Sequence, residues 1–324
     1  MSSYIFKVNE LEKYKLFLQK VKKANHAVIL NSEDTMLLNV IAKLLVMSLE
    51  CDNNNPPCLI CNNCQKIIDN NALDVLWFGS EKSIVVEDSE TIVQESFVVP
   101  YEFKNKYFVL QNFENATQQA QNKLLKIIEE PQKFDKYIIL ASNLDAVLST
   151  IKSRCEIFDV PRFSAEELKT IFNFEAGNGK KVSFGAEYAT GSLTKLNSIY
   201  NDEDFAEIYS LCIKLLTNLK TSANLLEYST QILKYKIKIE LVLEILSSLY
   251  RDILVIKNGE INLVQNKEQL NILMVLANDI SDLSLVNIIN EIQIVKQKLK
   301  FNASVSGVID NLLLKILEIK HICK

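Results

Sequence analysis

The sequence contains little glycine, proline or arginine. Its 324 residues include only 7 glycines and 5 prolines, whereas average usage would give about 7 % glycine and about 5 % proline. This scarcity excludes chemistry that needs several glycine-rich loops and favours a helix-rich fold. Only three of the 36 basic residues are arginines, namely Arg154, Arg162 and Arg251. Because arginine can bind an anion through two parallel hydrogen bonds and lysine cannot, each arginine is a candidate functional residue.

The chain also lacks an excess of positive charge and any long apolar run. Its formal net charge is −4, so no overall positive field favours non-specific binding to nucleic acid. We see no window of about 18 apolar residues and no N-terminal apolar stretch of signal-peptide length. We therefore expect a cytoplasmic protein that spans no membrane, with its seven cysteines present as thiols or metal ligands.

The first half of the chain alternates short apolar runs with helical patterns, such as Met36–Leu49 and Ala116–Glu129. This alternation predicts an α/β domain with a mostly parallel sheet. The five runs predicted to be strands are Ala27–Leu30, Val75–Phe78, Tyr107–Leu110, Tyr137–Ala141 and Ile157–Val160.

Beyond Pro161 the pattern becomes helical. Ser164, followed three positions later by Glu167, predicts a capping box at the start of a helix. A loop is predicted at 175–180, and helical breaks are predicted at Gly191 and near Asn258 and Asn302. We predict three domains: an α/β domain at 1–161, a small helical module at 162–204 and an all-α domain of about four to six helices at 205–324.

Four of the seven cysteines fall within one turn-rich segment with the spacing C-x6-C-x2-C-x2-C. They are Cys51, Cys58, Cys61 and Cys64. Four thiolates can surround one tetrahedral Zn²⁺, and a full set of four protein ligands is typical of a structural site. The pattern therefore predicts structural zinc. It suggests no role for Cys212, Cys323 or His321.

The stretch His26–Leu45 has the strand, turn and helix of a phosphate-binding loop but not its functional residues. Such a loop needs glycines that let backbone N–H groups approach phosphate, a lysine on the phosphates and a hydroxyl on Mg²⁺. Here the two glycine positions hold Ser32 and Leu37, the lysine position holds Leu38, and the hydroxyl position holds Asn39. We expect the two leucines to pack against the core.

The strand predicted at Tyr107–Leu110 lacks the acidic residues of a nucleotide-hydrolysing enzyme. Such an enzyme carries an aspartate for Mg²⁺ and a residue that orients water after this strand. The residues here are Gln111 and Asn112, which are both neutral. Two losses that concern the same chemistry predict that this chain binds no ATP.

Several stretches together resemble one family, the delta-prime subunits of the bacterial DNA polymerase III clamp loader, which belong to the AAA+ superfamily. The resemblance extends in order along most of the chain. It rests on His26-Ala27, the four-cysteine segment, Ala120–Lys126 running into Glu129-Glu130-Pro131, Ala141-Ser142-Asn143, Ser153-Arg154-Cys155, Gly191-Ser192-Leu193 and the C-terminal stretch Lys296–Ile319, which is expected to be one helix.

The resemblance implies an AAA+ domain with an inserted zinc module at 51–64, a helical lid and a helical collar that joins subunits in a ring. It implies that Arg154, flanked by Ser153 and Cys155, reaches the γ-phosphate of ATP in a neighbouring motor subunit. The implied partners are the motor subunits and the delta subunit, through the collar, with the sliding clamp and primed DNA contacted by the assembled complex. In the lid motif, Thr194 and Lys195 stand where an arginine often senses nucleotide.

Three functions compete. The first is a non-hydrolysing clamp-loader subunit, and the second is an ATP-hydrolysing paralogue, which Leu37, Leu38, Gln111 and Asn112 oppose. The third is a stand-alone zinc protein that binds nucleic acid; it would need a basic face with aromatic residues, and the cysteine segment contains no lysine or arginine. The first is favoured. Arg154 could otherwise form a surface ion pair. Glu129 and Glu130 could be a solvated helix end, but their unfavourable position near the helix C-terminus suggests a partner or cap.

Overall fold

The computed structural model describes residues 2–80, 82–173, 185–186, 189–301 and 303–322. The chain divides into two compact units, the first formed by Met1–Phe174 with Gly191–Lys195, and the second by Glu175–Thr190 with Leu196–Lys324. The predicted loop at 175–180, Asn302, Cys323 and the side chain of His321 lie outside what is described. No single described helix has the length and apolar character to cross a membrane, and one sharply bent helix pair would qualify only by length and composition.

The first unit contains a five-stranded parallel sheet. Its strands are β1 (Ala27–Asn31), β2 (Val75–Phe78), β3 (Lys106–Leu110), β4 (Asp135–Ala141) and β5 (Glu156–Asp159). They lie in the order β2-β3-β4-β1-β5, and all four pairings are parallel. The α/β class with a parallel sheet is confirmed, although β5 begins and ends one residue before the predicted run.

The apolar runs became strands because the central strands are covered on both faces. Every residue of β3 is buried, as are the first four residues of β1. Parallel strands buried in this way read as continuous apolar runs and do not alternate with polar residues. The outer strand β5 buries only Phe158.

Nine helices of the described chain flank these strands or follow them. They are α1 (Ser2–Glu10), α2 (Glu12–Val21), α3 (Thr35–Glu50), α4 (Asn62–Ile68), α5 (Val86–Ser96), α6 (Gln118–Glu129), α7 (Ser149–Lys152), α8 (Ala165–Asn173) and α9 (Leu193–Asn201). The pattern at 116–129 gave the α6 helix, but the helix starts at Gln118 because the side chain of Thr117 caps it. The capping box of α8 is confirmed, since Ser164 and Glu167 exchange backbone-to-side-chain hydrogen bonds.

The second unit is helical in its described part. Its longer helices are α10 (Phe205–Asn218), α11 (Ser222–Leu233), α12 (Ile239–Lys257), α13 (Leu270–Asp279), α14 (Asp282–Lys300) and α15 (Val305–Ile322). Fully buried side chains such as Leu249, Ile288 and Leu313 form its core. The helical break predicted near Asn302 is confirmed, because α14 ends at Lys300 and α15 begins at Val305, and the stretch Lys296–Ile319 is therefore not the single helix that the resemblance suggested.

Candidate functional site

The candidate site lies where the carboxyl ends of β1, β3 and β4 meet at one edge of the sheet. Parallel α/β sheets place ligand-binding loops at this edge. The turn 32–34 follows β1, Gln111 and Asn112 follow β3, and Ser142 follows β4. The structure therefore brings together the two regions in which the sequence lacks nucleotide-binding residues.

The turn after β1 is closed by its own side chains. The Ser32 hydroxyl accepts a hydrogen bond from the backbone N–H of Asp34 at 3.1 Å. The Asp34 carboxylate accepts one from the backbone N–H of Leu37 at 3.1 Å and so caps helix α3. Leu37 and Leu38 are buried, as expected from their apolar character.

Asp34 also connects this turn to the segment 191–195. Its carboxylate accepts a hydrogen bond from the backbone N–H of Leu193. It also accepts one from the backbone N–H of Thr194 at 3.2 Å and one from the Thr194 hydroxyl at 2.5 Å. The Thr194 hydroxyl in turn accepts the backbone N–H of Met36 at 3.0 Å. The N-terminus of a helix is a natural anion site, and at α3 the chain's own carboxylate and hydroxyl occupy it.

The residues after β3 are also engaged within the protein. The side-chain amide of Gln111 donates to the side-chain oxygen of Asn39 at 2.6 Å. Asn39 on α3 and Gln111 after β3 stand where a nucleotide-hydrolysing enzyme has its two Mg²⁺-binding residues, and here they bind each other. Asn112 adopts a left-handed backbone conformation, and its side chain donates to the carbonyl of Gly79 at 2.9 Å. Glu114 accepts hydrogen bonds from the backbone and hydroxyl of Ser142. A carboxylate is therefore present near the edge, but it is bound to a neighbouring loop.

The space that remains between these groups is very small. A cavity of about 10 Å³ lies there, lined by Thr35, Leu38, Asn39, Gln111, Asn112, Glu114, Leu140 and Ser142. One water molecule needs about 10–15 Å³. The cavity has room for a single water and none for a phosphate group.

Arg154 lies on the short connection between α7 and the outer strand β5. Its guanidinium donates to the carbonyl of Thr150 at 3.0 Å and to the carboxylate of Glu129 at 3.1 Å. Both ends of this ion pair are exposed, with 34 % of the Arg154 side chain and 55 % of the Glu129 side chain accessible. The partner suggested by the helix-terminal position of Glu129 is thus Arg154.

The two residues that flank Arg154 have structural contacts. The Ser153 hydroxyl donates to the carbonyl of Thr150 at 3.0 Å. Cys155 packs against the core of the sheet, and burial raises the pKa of its thiol to about 12. A thiol of that pKa is not a nucleophile at neutral pH, so Cys155 acts as a small apolar residue.

The four cysteines of the predicted zinc module come together after α3. The sulfur atoms of Cys51, Cys58, Cys61 and Cys64 all lie within 4.8 Å of one another. Zn–S bonds of about 2.3 Å in a tetrahedron place sulfur atoms about 3.8 Å apart, so a small contraction brings the four onto one metal ion. This set of donors fits a zinc ion.

Backbone groups are arranged to stabilise thiolates in this cluster. The N–H of Cys58 donates to the sulfur of Cys51 at 3.4 Å, and the N–H of Cys61 donates to the sulfur of Cys58 at 3.3 Å. Desolvation opposes ionisation of Cys58, but hydrogen bonds from the backbone of Ile60 and Cys61 and from the side chains of Cys51 and Cys61 together lower the pKa of this thiol to about 6. Cys64 is buried, and burial raises its pKa in the absence of a metal ion. Hydrogen bonds from surrounding groups to the ligands are a usual feature of metal sites.

Comparison with known proteins gives a family for the N-terminal half. Residues 10–164 match the family described as DNA polymerase III, delta subunit. The DNA polymerase III subunit delta' of Bacillus subtilis (strain 168) is 24 % identical over 284 residues, covering 86 % of this chain and 86 % of that protein. The DNA polymerase III subunit gamma of Buchnera aphidicola subsp. Schizaphis graminum is 28 % identical over 182 residues, covering 53 % of this chain. The chain spans 49 % of the length of that gamma subunit.

A solved structure of a gamma subunit-related protein from Thermotoga maritima covers 95 % of this chain and 100 % of its own. Its TM-score is 0.46 at 17 % identity. Over its N-terminal half the chain is thus similar to several subunits of DNA polymerase III, and over most of its length it is similar to a delta' subunit.

Proposed function

We propose that this chain is a non-hydrolysing subunit of the DNA polymerase III clamp loader, of the delta-prime type, which supports loading of the sliding clamp onto primed DNA in the cytoplasm. The observation that carries the proposal is the closure of the former nucleotide site by Asp34 and Thr194. The cavity of about 10 Å³ beside Asn39 and Gln111 supports it. The resemblance to delta-prime subunits, several of whose motifs are present, supplies the biological setting.

The alternative is an ATP-hydrolysing motor paralogue. That function needs backbone N–H groups free to hold phosphate, a lysine for the phosphates and acidic residues for Mg²⁺. In this chain the lysine position is the buried Leu38, and the N–H groups of Met36 and Leu37 already donate to Thr194 and Asp34. A nucleotide would have to displace these contacts and the leucine. The absence of ATPase activity is therefore part of the proposal.

Arg154 is proposed as the residue through which this chain takes part in ATP hydrolysis by a neighbouring subunit. Its contact with Glu129 is an exposed ion pair, and such pairs contribute only about 0–1 kcal/mol. The guanidinium can therefore leave Glu129 for the stronger charge of a γ-phosphate at little cost. Glu129 would keep the side chain extended until the neighbour arrives, while Ser153 and Cys155 fix the backbone on either side.

The cysteine cluster is proposed to hold a structural Zn²⁺ with Cys51, Cys58, Cys61 and Cys64 as its four ligands. The module begins directly after α3 and ends in the first turn of α4, where Asn63 donates to the carbonyl of Glu50 at the end of α3 at 2.9 Å. The metal ion would cross-link a segment that otherwise has few regular hydrogen bonds. With four protein ligands it has no open position for a substrate, so no catalytic role is assigned to it.

Residues 205–324 are proposed as the collar, 162–204 as the lid and 1–161 as the AAA+ domain. One face of α14 supports the collar role, because its apolar side chains at Leu283, Val286 and Ile294 are exposed, and Phe301 follows on the same face. These positions fall within about 80° of one another at 3.6 residues per turn. An apolar stripe of this kind on a helix surface favours a protein partner, and we propose that the partners are the motor subunits and the delta subunit.

Reconstitution tests this function. The tagged chain is mixed with the motor and delta subunits of its own organism, and the isolated complex is assayed for loading of the sliding clamp onto primed DNA. We expect the chain to enter a stable complex and to be required for efficient loading. A complex that forms and loads equally well without this chain would refute the proposed function.

A further inference from the structure

A cavity of about 460 Å³ lies within the second unit, apart from every site described above. It is formed by the C-terminal ends of α10 and α13, the first turn of α14 and the last part of α15. Its lining includes Leu216, Thr217, Lys220, Asp279, Ser284 and Lys320. Neither the degenerate nucleotide site nor Arg154 or the cysteine cluster contributes to it.

Lys320 is the residue that best defines this cavity chemically. Its amine donates to the carbonyl of Leu216 at 2.9 Å, in the last turn of α10, and lies 5.8 Å from the centre of the Tyr250 ring. The hydrogen bond and the ring fix the position of the amine on the cavity wall. One donor of the amine is thus used by the protein, while the side chain still borders open space.

The surroundings of Lys320 disfavour its positive charge. Burial, and secondly the charge of Lys220, lower the pKa of the Lys320 amine to about 8. The carboxylate of Asp279 also borders the cavity, but it lies on an exposed helix end. Lys257, at the end of α12, is paired at 3.3 Å with Asp282, at the start of α14. At pH 7.5 about one quarter of amines with this pKa are neutral, whereas about one in a thousand ordinary lysine amines is neutral.

We propose that Lys320 is a site of covalent acylation by small activated acyl groups such as thioesters or acyl phosphates. The lone pair of the neutral amine attacks the carbonyl carbon, a C–N bond forms, and the C–S or C–O bond to the leaving group breaks. The amine loses a proton to solvent, and the leaving group departs as a thiol or as phosphate. Desolvated lysines are known nucleophiles of this kind, and the cavity gives the acyl donor access.

The modification would change the local electrostatics without removing the structural hydrogen bond. An acylated amine keeps one N–H, which can still donate to the carbonyl of Leu216. The positive charge disappears, and with it the repulsion between Lys320 and Lys220. The cavity wall of the second unit would therefore lose one positive charge while the fold is retained.

The test uses the full chain and acetyl phosphate as the acyl donor, with the rate of acetylation at each lysine followed by mass spectrometry. At pH 7.5 we expect Lys320 to react at least about tenfold faster than the exposed Lys236. The Lys320 rate should rise with pH and level off above about 8. In concentrated urea the preference should disappear, because the cavity and the lowered pKa belong to the folded state.

A variant that fills the cavity tests whether the acyl donor reaches Lys320 through it. Thr217→Trp places a large side chain at the cavity wall and should slow acetylation of Lys320 at least about fivefold, because the acyl donor can no longer approach. Thr230→Trp, on the exposed side of α11, is the matched control and should leave the rate unchanged. Circular dichroism verifies that both variants fold. Lys320 reacting no faster than Lys236, a preference that persists in urea, or an undiminished rate in Thr217→Trp would each overturn the proposal.

Discussion

The carboxylate of Asp34 accepts hydrogen bonds from both the backbone N–H and the hydroxyl of Thr194, at 3.2 and 2.5 Å. These residues are 160 positions apart in the chain. Asp34 also caps helix α3. One buried side chain thus closes the turn after β1 and ties the segment 191–195 to it, so that the chain's own groups fill the place where a phosphate-binding loop would hold phosphate.

Replacing Asp34 by alanine is expected to destabilise the first unit. Loss of a helix cap costs about 1 kcal/mol, and buried donors left without an acceptor cost about 1–3 kcal/mol more. We expect a fall of about 2–4 kcal/mol in the free energy of unfolding. The single tryptophan, Trp77, lies in β2, so urea unfolding followed by its fluorescence reports on this unit.

The exposed Asp145 supplies the control for this experiment. Asp145→Ala should change the free energy of unfolding by less than about 0.5 kcal/mol. Equal stability of Asp34→Ala and Asp145→Ala would show that the closure of the site contributes nothing to the fold.

The zinc assignment predicts about one Zn²⁺ per chain, released when the thiols are modified. Cys64→Ser is expected to lower the zinc content strongly, since it removes one of four ligands. Cys212→Ser should retain the metal, because Cys212 is buried in the second unit and lies outside the cluster. Elemental analysis of the purified variants makes the measurement, and wild-type protein purified without any bound metal would contradict the assignment.

The sequence was sufficient to predict the sheet, because strands such as β1 and β3 are buried on both faces and read as continuous apolar runs. It did not predict helix α5. Ile92 is the one large apolar residue among the buried residues of this helix, so its apolar residues do not recur at helical spacing. The missing glycines and lysine of the nucleotide loop were also visible from the sequence. How the site is closed was not visible.

The contacts that the sequence did not reveal join residues far apart in the chain. The pairing of Asp34 with Thr194 has no local pattern, since both residues are ordinary helix-capping types. Arg154 and Glu129 were each noted separately, but only the fold places one beside the other. The sequence offers Ser32 or Asp34 as the cap of α3, and the structure uses Asp34, whereas the contact of Asp34 with Thr194 depends on tertiary structure.

Arg154→Ala is expected to leave the fold intact and to impair ATP hydrolysis by the assembled loader. An exposed ion pair contributes little to stability, whereas an arginine supplied in trans contributes about 10³-fold or more to hydrolysis at the site it faces. The steady-state ATPase activity of the complex should fall by the fraction of the total activity that the site facing Arg154 contributes. Arg154→Lys should be nearly as impaired, because an ammonium lacks the planar fork of the guanidinium.

The matched control is Arg162→Ala. Arg162 also forms an exposed ion pair, with Glu33 at 2.7 Å, and also belongs to the first unit. Its removal should not change the ATPase activity of the complex. If Arg154→Ala and Arg162→Ala hydrolyse ATP at the same rate as the unaltered complex, Arg154 has no part in the mechanism.

The collar assignment predicts that a charge on the exposed face of α14 weakens association with the motor subunits. Leu283→Asp should raise the dissociation constant by about 10- to 100-fold, as expected when an interface residue worth 1–3 kcal/mol is lost. Ile237→Asp, at a 93 % exposed residue away from this face, serves as the control. Sedimentation or light scattering of the mixtures measures both, and identical affinities of the two variants would place the interface elsewhere.

The central claim is that this chain retains the scaffold of a nucleotide site but binds no nucleotide. Titration of the isolated full-length protein with ATP and Mg²⁺ in a calorimeter tests it most directly. We predict no saturable heat up to millimolar ATP, since Asp34 and Thr194 occupy the phosphate position and Leu38 replaces the lysine. Saturable binding with a micromolar dissociation constant would contradict the account.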